Sequence, residues 1–238
     1  HTELMLRDFS SSIISEDNKI HIKGGELTSP GTIQIPGDLS SAAFLILATL
    51  ISKNSELIIE NVGLNHTRTG FIEIMKLMGG NITTIINNQT ASSEKIGSII
   101  ITSSKLKGIK VPKDLITSAI DELPLVFLAG ACAEGTTIIR NAEELRYKES
   151  DRITSMIKTL NTFSIKTKEF NDGAIIDGGI ITGGTVDSFG DHRIAMTALI
   201  ASCLSEKPII VENCENINTS FPTFKKTMNL IGMNIKEY

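Results

Sequence analysis

Apolar and polar positions repeat three times along this chain in the same order. An aspartate (Asp38, Asp121 or Asp191) precedes a stretch that is almost wholly apolar: residues 42–51, broken only by Thr49, residues 123–132, and residues 194–201. A helix that is apolar on every side has to be buried, so each stretch predicts a core helix. A short run rich in Ile and Val or Thr follows and ends on asparagine: ELIIEN at 56–61, TTIIRN at 136–141 and PIIVEN at 208–213. The Asp-to-Asn offsets are 23, 20 and 22 residues, a recurrence that does not depend on the choice of endpoints. A polar turn then leads into a second helix with apolar residues at helical spacing. These are Phe71, Ile74, Met75 and Met78 in the first copy, Ile153, Met156, Ile157 and Leu160 in the second, and Phe224, Met228, Leu230 and Ile231 in the third. Each copy therefore reads as strand, helix, strand, helix and one or two more strands. Three such units, about 36–108, 109–182 and 183–238, can pack their helices inward around a shared core with sheets outside. Ahead of them, residues 1–35 predict a helix (Leu4, Met5, Leu6, Phe9) and a strand pair through residues 19–25. Gly178-Gly179 and Gly183-Gly184 mark turns between strands.

Composition narrows the function without naming it. The chain has 238 residues and is 41% hydrophobic, enough for a sizeable core. Its 23 basic and 27 acidic residues give a net charge of −4, interspersed rather than blocked, which argues against a general nucleic-acid binder. No apolar run is long enough to span a bilayer, and no signal peptide opens the chain, so no membrane partner is expected. Cys132, Cys203 and Cys214 are odd in number and lack close pairing, which points to a reducing compartment, the cytoplasm, with no disulfide framework. Asn65, Asn81, Asn88 and Asn218 begin formal glycosylation triplets that carry no meaning without a secretory signal. The histidines show no metal-ligand spacing, and no metal site is assigned.

Charge becomes informative in two short segments. One is Leu-Arg-Tyr-Lys-Glu-Ser-Asp-Arg-Ile at 145–153; the other is Gly-Asp-His-Arg-Ile-Ala-Met at 190–196. They set Lys148, Arg152, His192 and Arg193 beside Glu149, Asp151 and Asp191. Such cations among carboxylates suit a small, multiply anionic substrate whose chemistry moves protons. Lys148 and Arg152 are four apart, so on a helix they would share a face, whether a solvated one or a binding one. Asp191, His192 and Arg193 sit at a helix start, where backbone donors and the dipole favour anions. Asp121 has the position of an N-cap for the helix over 123–132, and Asp38 reads as a cap alone.

Both segments resemble the signatures of the 5-enolpyruvylshikimate-3-phosphate synthase family, the 3-phosphoshikimate 1-carboxyvinyltransferases. Pro-Gly-Asp-Leu-Ser-Ser-Ala-Ala-Phe at 36–44 and Asn-Val-Gly-Leu-Asn-His-Thr-Arg-Thr-Gly at 61–70 are similar to two more, in the family's order. The resemblance implies an α/β (α+β) fold: an inside-out domain of three βαβαββ repeats around a pseudo-threefold axis, helices inward and sheets outward. Enolpyruvyl transferases have two such domains. By resemblance, residues 1–35 are the tail of the first and 36–238 the second; most of the first, N-terminal domain, which would complete the site, is missing, and the portion given is inactive alone. The chain opens on His1, not Met, which also predicts something upstream.

The activity implied is transfer of the enolpyruvyl group of phosphoenolpyruvate to the 5-hydroxyl of shikimate 3-phosphate, with no cofactor, by an enzyme monomeric at full length. By similarity, Asp121, which stands 27 residues before Lys148 as the family's catalytic Asp does, contacts the target hydroxyl and relays protons. Lys148 contacts the phosphoshikimate near the reacting atoms, and Glu149 takes part in proton transfer. Arg152 binds the phosphoenolpyruvate carboxylate, and His192 and Arg193 bind phosphoenolpyruvate. Two positions depart from the pattern: Glu144 stands where many relatives carry an Asn, and no Lys precedes Thr219-Ser220-Phe221-Pro222. Lys225 and Lys226 follow that run out of register, so neither contact is carried over. The nearest rival is a UDP-N-acetylglucosamine enolpyruvyl transferase, with the same fold and donor. A non-catalytic βαβ-repeat module binding RNA ends is a rival from another class, disfavoured by the charge and by the absence of Trp.

Overall fold

The computed structural model describes residues 1–17, 19–87 and 94–238; Asn88, with its glycosylation triplet, lies outside them. Helix α1 (Thr2–Asp8) and an antiparallel hairpin of β1 (Ile13–Glu16) and β2 (Lys19–Ile22) come first. The first unit holds α2 (Leu39–Ile51), β3 (Glu56–Gly63), α3 (Gly70–Leu77), β4 (Asn81–Ile86) and β5 (Ile96–Thr102). The second holds α4 (Lys113–Ser118), α5 (Leu123–Cys132), β6 (Thr136–Ile139), a short 3-10 helix (Glu143–Tyr147), α6 (Arg152–Thr162), β7 (Thr167–Phe170) and β8 (Gly173–Asp177). The third holds β9 (Gly184–Asp187), α7 (His192–Ala201), β10 (Ile209–Glu212), α8 (Ile217–Ser220) and α9 (Phe224–Leu230).

The three apolar stretches are the core helices α2, α5 and α7, and they pack against one another. Nine residues of α5, from Leu123 through Ala131, are buried without interruption, as all-round apolarity requires. The second helices close over this centre. Phe71, Ile74 and Met75 of α3 are fully buried, as are Ile153 and Leu160 of α6. Phe224 of α9 meets Phe44 of α2 edge to face at 5.8 Å. The predicted stripe is only partly right in α9, where Leu230 faces solvent.

Sheets lie outside the helices. β3, β5 and β4 form one three-stranded antiparallel sheet in that order, and β6, β8 and β7 form another in the corresponding order. In each unit the segment before the core helix pairs in parallel with the strand after it: Gly37 with Val62, Lys110 with Ile138, and β9 with β10. The first two units thus complete strand–helix–strand–helix–strand–strand. Among the described residues the third carries no strand after α9 and keeps only the two-stranded β9–β10 sheet.

The recurring asparagines have a backbone reason. Asn61, Asn141 and Asn213 all adopt left-handed φ, at 57°, 61° and 55°, a region Asn tolerates better than other non-glycine residues. Asn141 and Asn213 follow their strands as expected. Asn61 instead lies in a bulge inside β3, which runs on to Gly63. Between β8 and β9, Gly178 approaches the chain so closely that a Cβ would lie 1.7 Å from the Ala133 carbonyl oxygen. No helix among the described residues is long and apolar enough to cross a membrane. Cys132 packs against the core, and burial, with Cys203 nearby, pushes its thiol up to about 12.

Candidate active site

The N-terminal ends of the three core helices meet, and the functional side chains gather there. Asp38 caps α2, accepting from Ser40 N at 3.2 Å and Ser41 N at 2.8 Å. Asp191 caps α7, accepting from Arg193 N at 2.9 Å. Asp121 does not cap α5: the residue at the cap position is Glu122, and it makes no side-chain capping bond. The turn before α5 and Pro124 in its first turn start that helix without an acidic cap, which leaves the Asp121 carboxylate free for other partners.

Those partners are four cations from four separate places. Arg68 Nη2 lies 3.2 Å from the Asp121 carboxylate, Lys148 Nζ 3.7 Å, Arg152 Nη1 3.9 Å and Arg193 Nη2 3.9 Å. Arg193 Nη1 also donates to the Asp121 carbonyl at 3.0 Å. Burial pushes the Asp121 pKa up, but Arg193, Arg68 and Lys148 together outweigh it and hold the carboxyl below its usual range. Asp121 is therefore an anion held in a cationic ring.

Lys148 and Arg152 do not share a helix face. Lys148 has an extended backbone just after the 3-10 helix, and Arg152 opens α6. The intervening Asp151 caps α6 by accepting from Thr154 N at 3.1 Å, which requires a break in the helix there. The two cations converge through tertiary packing. Arg146 fixes this segment by donating to Asp151 at 2.6 Å, Glu169 at 3.0 Å and the carbonyls of Phe170 and Asn171.

Arg152 is only 1% exposed. Its Nε donates to Asp191 at 2.8 Å and its Nη2 to Glu149 at 2.5 Å, so among the described residues Nη1 is turned toward Asp121, 3.9 Å away, without a closer acceptor. Burial raises the pKa of Asp191, and the hydrogen bond and charge of Arg152 more than reverse this, leaving it lowered. Glu149 is half exposed. His192, at the start of α7, has its pKa lowered by burial and then by the charge of Arg193, so the free site holds it neutral at physiological pH. Glu144, the departure noted above, pairs with Lys148 at 2.7 Å and thus stands at the rim of the site. Lys225 is engaged elsewhere, 3.3 Å from Glu237.

Three participants escaped the sequence reading: Arg68, Ser40 and Glu122. Arg68 and Ser40 lie inside quoted family-like segments, and Glu122 adjoins Asp121, but nothing in linear order pairs them. The β3–α3 loop carries Arg68 inward. Buried Asn65 shapes that loop by accepting from Thr67 N at 3.0 Å and Thr67 Oγ1 at 2.8 Å. Gly70 lets it press on the end of α4, where a Cβ would lie 2.2 Å from Ser118 Oγ. The same burial closes Asn65 to glycosylation.

Comparison with known proteins gives a family and a fold. The sequence profile of EPSP synthase (3-phosphoshikimate 1-carboxyvinyltransferase) matches residues 1–228. The chain is 45% identical over 238 residues to the 3-phosphoshikimate 1-carboxyvinyltransferase of Legionella pneumophila (strain Lens), and 40% identical over 236 residues to that of Coxiella burnetii (strain RSA 331 / Henzerling II). All of this chain aligns with the Legionella protein but only 55% of that protein is covered, so the chain spans about half the length of such relatives. A solved EPSP synthase from Acinetobacter baumannii superposes with a TM-score of 0.95 at 43% identity, covering 99% of this chain and 55% of that one. The enolpyruvyl transferase NikO from Streptomyces tendae superposes at 0.73 with 19% identity, a likeness of fold alone.

Proposed function

Given that the chain belongs to the EPSP synthase (3-phosphoshikimate 1-carboxyvinyltransferase) family, we propose that it supplies the phosphoenolpyruvate side of an enolpyruvyl transfer to shikimate 3-phosphate. The observation that carries this is the ring of Arg68, Lys148, Arg152 and Arg193 around one partly buried carboxylate, Asp121. A ring of fixed cations suits a small ligand with both a carboxylate and a phosphate, and oriented charge in a closing cleft stabilises the charge that develops during transfer.

In this reading the 5-hydroxyl of shikimate 3-phosphate attacks C2 of phosphoenolpyruvate while the methylene carbon takes a proton. Loss of phosphate and of one methyl proton from the tetrahedral intermediate then gives the enol ether. Asp121 stands for the group facing the hydroxyl, and Glu149, exposed beside Arg152, for a second proton carrier. Lys148 neutralises charge near the reacting atoms; His192 and Arg193 meet the donor's anionic groups. Arg152 contributes its Nη1, and a two-pronged grip on the donor carboxylate requires Glu149 to release Nη2. Asp121 is a weak base while four cations surround it. Substrate anions that share those cations raise its proton affinity, so binding itself prepares the group for proton transfer.

The reading extends to organisation. Residues 1–35 belong to the tail of a first domain and 36–238 to a second, with the first domain supplying further anion-binding groups across a cleft. Support comes from α1, which buries no residue, and from the exposed Ile14, Ile20 and Ile22 of the hairpin that follows it and Ile35 further along. The test is phosphate release by the full-length protein with phosphoenolpyruvate and either shikimate 3-phosphate or UDP-N-acetylglucosamine as acceptor. Turnover with the first alone supports the proposal; turnover with the second, or with neither, rejects it. Residues 1–238 without the first domain should release little phosphate, since open solvent weakens each charge contact several-fold.

A further inference from the structure

Directly beneath Asp121 lies a second carboxylate to which the reaction assigns no step. Glu122 is 1% exposed, and it approaches two of the four cations from below. Its Oε1 accepts a hydrogen bond from Ser40 Oγ, lies 3.3 Å from Arg68 Nη2 and 3.6 Å from Arg193 Nη1. Ser40 Oγ in turn accepts from Arg68 Nη2 at 3.0 Å. Oε2 is buried and has no hydrogen-bond partner among the described residues. Each arginine thus touches both carboxylates: Arg68 bridges Glu122 to Asp121 from the β3–α3 loop, and Arg193 bridges them from α7.

A buried carboxylate with one idle oxygen is costly, and an apolar side chain there would pack at lower cost. What Glu122 adds is an anchor. A guanidinium on a long stem explores many rotamers unless something fixes it. One oxygen reached from α2, from the loop before α3 and from α7 locks three elements and two guanidinium groups in one arrangement. We propose that Glu122 is a positioning residue: directly and through Ser40 it holds Arg68, and by charge at 3.6 Å it holds Arg193, so that both stand at set distances from Asp121 and from an anionic donor. This rests on the enolpyruvyl-transfer reading for its kinetic consequences, and on geometry alone for its effect on Asp121.

The decisive variant is Glu122→Gln in the full-length protein, which keeps the shape and drops the charge. Positioning predicts a rise of about ten-fold in KM for phosphoenolpyruvate with a smaller change in kcat, the scale of one charge-assisted contact. It also predicts that the Asp121 carboxyl titrates higher, because Arg68 and Arg193 relax away from it. The groups facing Glu122 are Asp121, Arg68, Arg193 and Ser40. If Glu122 acted only as a neighbouring charge, its removal would ease ionisation of Asp121 and lower that titration, which would overturn the proposal. A fall in thermal stability with KM and the titration unmoved would overturn it too.

Should Glu122→Gln fail to fold, Ser40→Ala keeps the carboxylate and its direct contact with Arg68 but removes the Ser40 bridge between them; the expected rise in KM is about three-fold in the same direction. No rise in that variant counts against the proposal. Glu122→Asp, which restores the charge on a shorter stem, should recover part of what Glu122→Gln loses. The Asp121 titration, followed by NMR of 13C-labelled carboxyls in the unliganded protein, needs no substrate. It therefore decides the positioning role even if the wild-type protein proves not to transfer enolpyruvyl groups.

Discussion

Asp38, Asp121 and Asp191 occupy equivalent places ahead of the three core helices, yet they have three different lives. Asp38 is a cap and nothing more, bonded to Ser40 N and Ser41 N at the surface. Asp191 caps α7 and also neutralises a buried arginine, with Arg152 Nε at 2.8 Å. Asp121 caps nothing and is ringed by Arg68, Lys148, Arg152 and Arg193. The difference teaches that a repeat fixes where an acid stands and that its chemistry comes from the side chains that its own and the other repeats bring to it. Arg68 arrives from the first unit, Lys148 and Arg152 from the second and Arg193 from the third.

Replacing Asp121 breaks the comparison most visibly. Asp121→Ala in the full-length protein should lower kcat by about 10²–10⁴-fold, the usual worth of general acid–base help, with a far smaller change in phosphoenolpyruvate binding. Asp121 makes no capping bond, but its lowered pKa means the ionised carboxylate stabilises the cationic ring, so the variant should lose some stability at neutral pH and kcat is compared on folded protein. An unaltered kcat in steady-state kinetics would leave Asp121 without a catalytic role.

Asp191→Ala attacks the same ring from its buried side. It strands Arg152 at 1% exposure without its main counter-charge. Breaking a buried pair in this way should cost about 3–5 kcal/mol, read as a shift in the urea midpoint. A loss no greater than that of an ordinary cap would show that the Arg152 pair adds nothing. Asp38→Ala supplies that reference: about 1 kcal/mol of stability and no effect on kcat.

The smallest effect concerns pH. The folded-state pKa of His192 is lowered, so its neutral form is the one the fold accommodates. The associated stability is present above the unfolded value near 6.5 and is lost as pH falls through the lower folded value. His192→Gln should flatten the decline in thermal stability just below pH 6.5. If His192 meets the donor phosphate, binding should draw in a proton in the same window, measurable as a buffer-dependent heat in calorimetry. Equal heats in all buffers would remove His192 from the anion site. The acid limb of kcat, which reports the bound state, should lie above that of kcat/KM, since bound anions raise the pKa of Asp121.

Much of the fold was legible because burial leaves a mark at every position of a core helix. The apolar stretches of α2, α5 and α7 and the spaced apolar residues of α3 and α6 declare where they must go, and Asn141 and Asn213 mark the ends of their strands, whereas Asn61 lies in a bulge inside β3. The family-like segments likewise told where cations and carboxylates collect. What the order of residues could not state is which of them meet. A shared helix face for Lys148 and Arg152 is a sound inference from spacing, and it fails because the Asp151 cap breaks the helix between them. An N-cap role for Asp121 is equally sound, and it fails because α5 begins at Leu123 as expected and the residue at its cap position is Glu122. Arg68 and Glu122 are 54 residues apart and are joined at 3.3 Å. Local pattern is set by solvation of each side chain, which the sequence carries residue by residue. Charge pairing depends on distance through space, and only the packing of three helix N-termini against one another decided it.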